Sequence, residues 1–150
     1  MSVKVQNEDF NPQQVVDALC KGRADIGAVV TFVGRVRDSA KSESISAMEL
    51  EHYPGMTEKA LQGIVNQAHQ RWQLQGVSII HRVGKLEPAE QIVMVAVASP
   101  HRGEAFQACE FMIDFLKMRA PFWKKEYTEQ GAHWVDARES DDAALERWSG

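Results

Sequence analysis

Between Lys117 and Lys125 (KMRAPFWKK) lie four cations and no acid, although the whole chain of 150 residues has a net charge of −4. Pro121 sits in the middle, so the segment leaves a helix and enters an extended stretch. Lys117 and Arg119 then fall at a helix C-terminus, and alternation sends Lys124 and Lys125 to opposite faces of a strand. Helix electrostatics alone account for part of this, since cations at a C-terminus complement the macrodipole by about 0.3–1 kcal/mol. The whole group, interleaved with Phe122 and Trp123, has the makings of an anion site with aromatic walls. A lysine there can act as acid, base or nucleophile if neighbouring cations or burial lower its pKa. Two further basic groups follow the same logic. Arg35 and Arg37 (GRVRD, 34–38) come after an apolar run, and alternation points both to one side; the plainer reading is a solvated strand end. His101 and Arg102 (SPHRG, 99–103) lie between a strand end and a helix start. Free backbone N–H groups there favour anions, and Arg102 could add a bidentate contact, while His101 could equally cap or pack.

Other chemistries find little support. The histidines at positions 52, 69, 81, 101 and 133 show no HxxxH or HxH spacing, and Cys20 and Cys109 form no CxxC. No metal site is therefore expected. Cys109 falls in an apolar helical stretch and reads as a small core hydrophobe; Cys20 has no neighbour that marks it as a nucleophile. There is no P-loop, no GxGxxG and no GxSxG.

These residues must be held by ordinary globular elements. Apolar residues make up 44% and charged residues 25%, which excludes disorder, collagen-like repeats and disulfide scaffolds. The length implies one domain, residues 1–150. The apolar run from Ile92 to Ser99 is far short of the ~20 residues that span a bilayer, and the N-terminus lacks a secretory core. Two cysteines fit a reducing cytoplasm. The acidic balance argues against nucleic acid as a partner.

Met1–Gln6 reads as a short edge strand, and Asn11-Pro12 as cap and first position of a helix ending near Lys21-Gly22. Ile26–Val33 reads as a buried strand. Asp38–Ser44 (DSAKSES) is the one loop-like stretch. Ile45–Tyr53 alternates, with Met48 and Leu50 on one face and Glu49 and Glu51 on the other. Pro54-Gly55 breaks it before an amphipathic helix over Thr57–Trp72. Val77–Val83 and Gln91–Ser99 are strands joined by a turn-rich stretch at 84–88. Gly103–Met118 reads as a central, largely buried helix with a narrow polar stripe. Phe122–Tyr127 and His133–Ala137 look extended, and Ser140 with Asp141 and Asp142 opens a last short helix bearing Leu145 and Trp148. Adjacent strand pairs imply an α+β fold with a largely antiparallel sheet, not a doubly wound parallel one.

At these same residues the chain resembles the large, catalytic subunit of molybdopterin synthase. The resemblance rests on GAVVTFVGRVR (27–37), LEHYPGMTEKAL (50–61), HRVGKL (81–86), His101-Arg102, KMRAPFWKKE (117–126), WVDARES (134–140) and Arg147-Trp148. It runs in order from about Gly27 to Trp148, and HYPGM with RAPFWK is its most specific part. The first 25 residues carry little of it. Where relatives often have Asn, His and Gly in the 38–44 loop, this chain has Ser, Ala and Lys41.

The resemblance implies an α/β hammerhead fold and a sulfur transfer that converts cyclic pyranopterin monophosphate (precursor Z) into molybdopterin. It implies as partner a small ubiquitin-like subunit whose C-terminal Gly-Gly thiocarboxylate donates the sulfur. Two large subunits would form a central dimer within a heterotetramer, and each site would borrow residues across the dimer interface. By motif match Lys117 and Lys124 would be catalytic. Arg37, His101, Arg102, Arg138 and Lys125 would bind the substrate, with Arg37 supplied by the other protomer. Phe32, Met118, Pro121 and Phe122 would wall the pocket, although Phe32 and Met118 also fit plain core positions. No cofactor or metal is implied. The competing reading is a non-catalytic module that binds an anion or an acidic tail with the same basic clusters.

Overall fold

Nine strands among the described residues (2–40, 43–135 and 146–149 of the computed structural model) divide into two sheets rather than one. The first sheet has the order β1 (Val3–Gln6), β5 (Gly76–Arg82), β7 (Gln91–Ser99), β2 (Ala28–Arg35). Its pairs are antiparallel except for the edge strand β1, which runs parallel to β5. Every residue of Val93–Ser99 is buried, because helices cover both faces of this sheet. Alternation along β7 splits the core accordingly. Val95 and Val97 pack towards α2 (Met56–Arg71) and α3 (Arg102–Arg119), while Met94 and Ala96 face Val15, Val16 and Leu19 of α1 (Pro12–Cys20). Asn11 caps α1, its side chain accepting from the N–H groups of Gln13 and Gln14 at 3.0 and 3.2 Å.

The second sheet centres on β4 (Glu43–His52), paired with β8 (Phe122–Thr128), which pairs in turn with β9 (Gly131–Val135). Met48 and Leu50 face inward with Val36 and Leu86, as their alternation requires. Two short strands complete it where the sequence reads as loop. Ser39–Ala40 (β3) folds back on Glu43 and Ser44, and Gly84–Leu86 (β6) pairs with Met48–Leu50. Such short strands carry too few residues for a periodic signal; their partners create them. The antiparallel α+β expectation stands.

One expectation needs correction. Helix α3 is not largely buried: Ala105, Ala108, Phe111, Met112 and Leu116 are buried and Gln107 and Glu110 are exposed on the expected polar stripe, but Phe106 is also 60% exposed. The sheet and α2 cover only one side of the helix. Of the expected last helix bearing Leu145 and Trp148, residues 140–145 lie outside the described residues. Beyond them, Trp148 packs edge-on to Trp72 and Phe111, and its indole N–H donates to Asp114 at 2.7 Å.

Candidate active site

Helix α3 ends where Pro121 forbids another turn, with Ala120 extended (φ −74°, ψ 133°). β8 then starts at Phe122, opposite His52 of β4. A buried hydroxyl stitches this junction to the start of α2. The Thr57 Oγ1 accepts from the Tyr53 N–H at 3.0 Å and donates to the Pro121 carbonyl at 3.1 Å. The HYPGM segment itself turns through Gly55, at φ 84°, whose N–H is taken by the Glu58 carboxylate at 2.9 Å. The junction between α3 and β8 is thereby pinned to the start of α2, and Lys117 and Lys124 line one cavity of about 570 Å³.

Sheet residues Phe32, Gly34, Val93 and Val95 line one side of this cavity, Met48, Leu50 and Phe122 another, and Ile113, Leu116 and Met118 of α3 a third. Its charged lining residues are Arg35, Arg37, Lys117, Lys124 and Glu126, four cations against one carboxylate. A chamber of mixed polar and apolar walls with that balance favours a partly apolar anion. Arg35 is anchored: its guanidinium donates twice to the Ala89 carbonyl, at 3.2 and 2.9 Å. Gly34 lets the Val93 and Phe32 side chains pack close against its backbone. A Cβ there would sit 2.9 Å from Val93 Cγ1 and 3.3 Å from Phe32 Cε2.

His81, also in the lining, is held neutral. Burial pushes its pKa down to about 4; a bond to the Arg82 carbonyl opposes this, while Lys117 and His52 add to the lowering. Cys109, in contrast, lies in the core, where burial first and then Glu110 push its thiol up to about 12. That is the inert cysteine its apolar setting implies.

Of the residues singled out in the sequence, the structure brings Lys117, Lys124, Arg37, Phe32, Met118 and Phe122 together at the cavity, with Arg37 contributed by the same chain. Four others it places elsewhere. Pro121 shapes the junction through its carbonyl and is absent from the lining. Lys125 points to the opposite face of β8, its ammonium 5.1 Å from the Trp134 ring and 5.9 Å from Tyr127. His101 and Arg102 are exposed at the far end of α3 from Lys117. At 1.5 Å per residue that separation is about 22 Å, so within one chain they do not meet the lysines. Arg138 lies outside the described residues.

Sequence reasoning left His81 and Glu126 out of the site. Glu126 had a signal, because it is two residues from Lys124 and so shares its face. His81 had only a weak one, a polar residue near the end of an apolar strand.

Comparison with known proteins decides the family. The sequence model of the family described as MoaE protein matches residues 5–119. The chain belongs to the MoaE family. Among its relatives, the molybdopterin synthase catalytic subunit of Ralstonia nicotianae is 60% identical over 147 residues, covering 98% of this chain and 84% of the relative. The solved MoaE protein from Burkholderia ambifaria superposes with a TM-score of 0.85 at 53% identity, covering 99% of this chain and 98% of the other. A molybdopterin synthase structure from Staphylococcus aureus gives 0.84 at 34% identity, over 91% and 98%. As a MoaE family member the chain is an enzyme's catalytic subunit, of the molybdopterin synthase class that serves molybdenum cofactor biosynthesis. The reading as a non-catalytic module is set aside. Among the described residues, no helix of this MoaE family member is long and apolar enough to cross a membrane.

Proposed function

We propose that this chain transfers sulfur to precursor Z, taking it from the C-terminal thiocarboxylate of a small ubiquitin-like subunit in the cytoplasm. The observation that carries the reading is the shared cavity of Lys117 and Lys124, partly apolar in its walls and cationic in its charges. Precursor Z is a cyclic phosphate fused to a partly reduced pterin, and the donor's tail ends in an anion. Both need the same cationic chamber in a chain of net charge −4. The sulfur comes from outside, which agrees with a buried Cys109 whose thiolate is strongly disfavoured.

In this reading Lys117 stands beside the incoming thiocarboxylate and Lys124 beside the pterin side chain. The two ammonium groups stabilise charge as sulfur attacks, and they move protons as the cyclic phosphate opens and water leaves. Arg37 holds the phosphate; Phe32, Met118 and Phe122 wall the ring. His101 and Arg102 reach the cavity of a second copy, since they sit too far from their own lysines. Arg138 and Lys125 complete the substrate contacts in the dimer, itself the centre of a heterotetramer.

The test is a reconstitution with precursor Z and a thiocarboxylated small subunit, comparing wild type with Lys117→Ala and Lys124→Ala. Product is read as its fluorescent oxidised pterin. Dithiolene product from wild type is expected, with losses of about 100-fold or more in each variant while the small subunit still binds. Full turnover in either variant would remove that lysine from the chemistry, and no product from a wild-type complex would end the sulfur-transfer reading.

A further inference from the structure

His81, the last residue but one of β5, lines the cavity, is 4% exposed, and nothing in the proposed chemistry uses it. Two contacts fix its ring. It lies flat on Phe122, with centroids 3.8 Å and planes 18° apart. Its Nδ1 is 2.8 Å from the Arg82 carbonyl. A carbonyl only accepts, so Nδ1 carries the proton and Nε2 holds the lone pair. The polar atom that His81 can offer the cavity is therefore an acceptor.

In that lining His81 is one of two ionisable side chains that can accept, the other being the Glu126 carboxylate. Arg35, Arg37, Lys117 and Lys124 are all donors, suited to phosphate and carboxylate oxygens. A partly reduced nitrogen heterocycle also presents N–H and amino donors, for which those four cations offer nothing. We propose that His81 is a substrate-recognition residue whose Nε2 accepts a hydrogen bond from an N–H of the substrate's heterocycle, with the stacked Phe122 ring beside it as a flat wall. The role needs an imidazole that stays uncharged. Burial, Lys117 from α3 and His52 from β4 keep it so, against the single opposing effect of the Arg82 carbonyl. Protonation at Nε2 would turn the acceptor into a fifth donor facing other cations. The inference rests on the reading of this cavity as the substrate site and deepens it.

The test uses the full chain and precursor Z, with affinity by calorimetry and turnover in the reconstituted complex. His81→Phe preserves a flat ring against Phe122 and removes the acceptor. The substrate Kd is expected to rise about tenfold, with the small subunit bound as before. His81→Gln, which can return an acceptor near the Nε2 position, should recover to within about threefold. An unchanged Kd in His81→Phe, or a Gln variant no better than Phe, overturns the inference while leaving the sulfur-transfer reading intact. Loss of wild-type binding would overturn both. Should the variants fail to fold, nitrogen NMR of wild type decides. The Nε2 resonance should move from its free lone-pair position on saturation with precursor Z and stay put with inorganic phosphate; no movement with precursor Z refutes the contact.

Discussion

Removing the Thr57 hydroxyl should loosen the junction on which both lysines depend. Thr57 is 0% exposed, and its Oγ1 bridges the Tyr53 N–H and the Pro121 carbonyl at 3.0 and 3.1 Å. Thr57→Val keeps the shape and replaces the hydroxyl with a methyl, so both partners lose their bond inside a dry contact. Each orphaned group costs about 1–3 kcal/mol. The Tyr53 bond is only partly buried, so the lower half of the range applies to it. The expected loss is about 2–3 kcal/mol in all, or a fall in Tm of about 4–10 °C for a chain of this size. Thr57→Ser keeps both bonds and loses one methyl, for about 1 kcal/mol. Urea unfolding at constant m-value measures the stability of each, and turnover measured well below either Tm reads the junction itself. Because Pro121 connects Lys117 to Lys124, kcat should fall in the Val variant about tenfold and recover in Ser. A Val variant within about 0.5 kcal/mol of wild type, or a Ser variant worse than Val, would refute the argument that the hydroxyl holds the junction.

His81 should make the fold sensitive to acid. Its pKa is lowered from 6.5 to about 4 in the native state, so the unfolded chain binds the proton first. The stability it contributes is complete above pH 6.5 and disappears as pH falls towards 4, a loss of about 3 kcal/mol. Unfolding curves between pH 7 and pH 4 should therefore be flatter for His81→Phe than for wild type, and parallel curves would contradict the burial argument. Asp9, whose carboxyl is lowered first by its bond from Gln91, adds to the slope in both proteins and cancels in the comparison. Gly34→Ala should crowd Val93 and Phe32 at the cavity, costing about 1–3 kcal/mol and raising the substrate KM; an unchanged KM would show that the ligand does not come near Gly34. A thiol reagent at pH 8 should label Cys20 in the native protein, whereas Cys109, 5% exposed and with its pKa pushed up to about 12, should react only in denaturant. Two native labels would refute that.

Elements whose signal is local could be read from the chain directly. The apolar run of β7, the alternation of Met48 and Leu50, the Asn11-Pro12 helix start and the stop at Pro121 each depend on a few neighbouring residues, and each appears where expected. The cluster from Lys117 to Lys125 was also visible, and alternation alone separated Lys124 from Lys125. The division into two sheets was not legible, because strand pairing joins residues far apart in sequence and β3 and β6 exist only through β4. Nor was the exposed face of α3, since apolar content does not say how many sides of a helix will find a partner.

The chain by itself determined the family, the charges available and the faces they occupy, since periodicity and the motifs from Gly27 to Trp148 are properties of the sequence. Tertiary structure decided which of those charges meet. The turn at Pro121 from α3 into β8 brought Lys117 and Lys124 to one cavity, and the fold added His81 from a strand of the other sheet. The eighteen residues of α3 kept His101 and Arg102 away from it. A rigid helix carries its two ends apart by its own length, and only a turn or a sheet contact can reverse that.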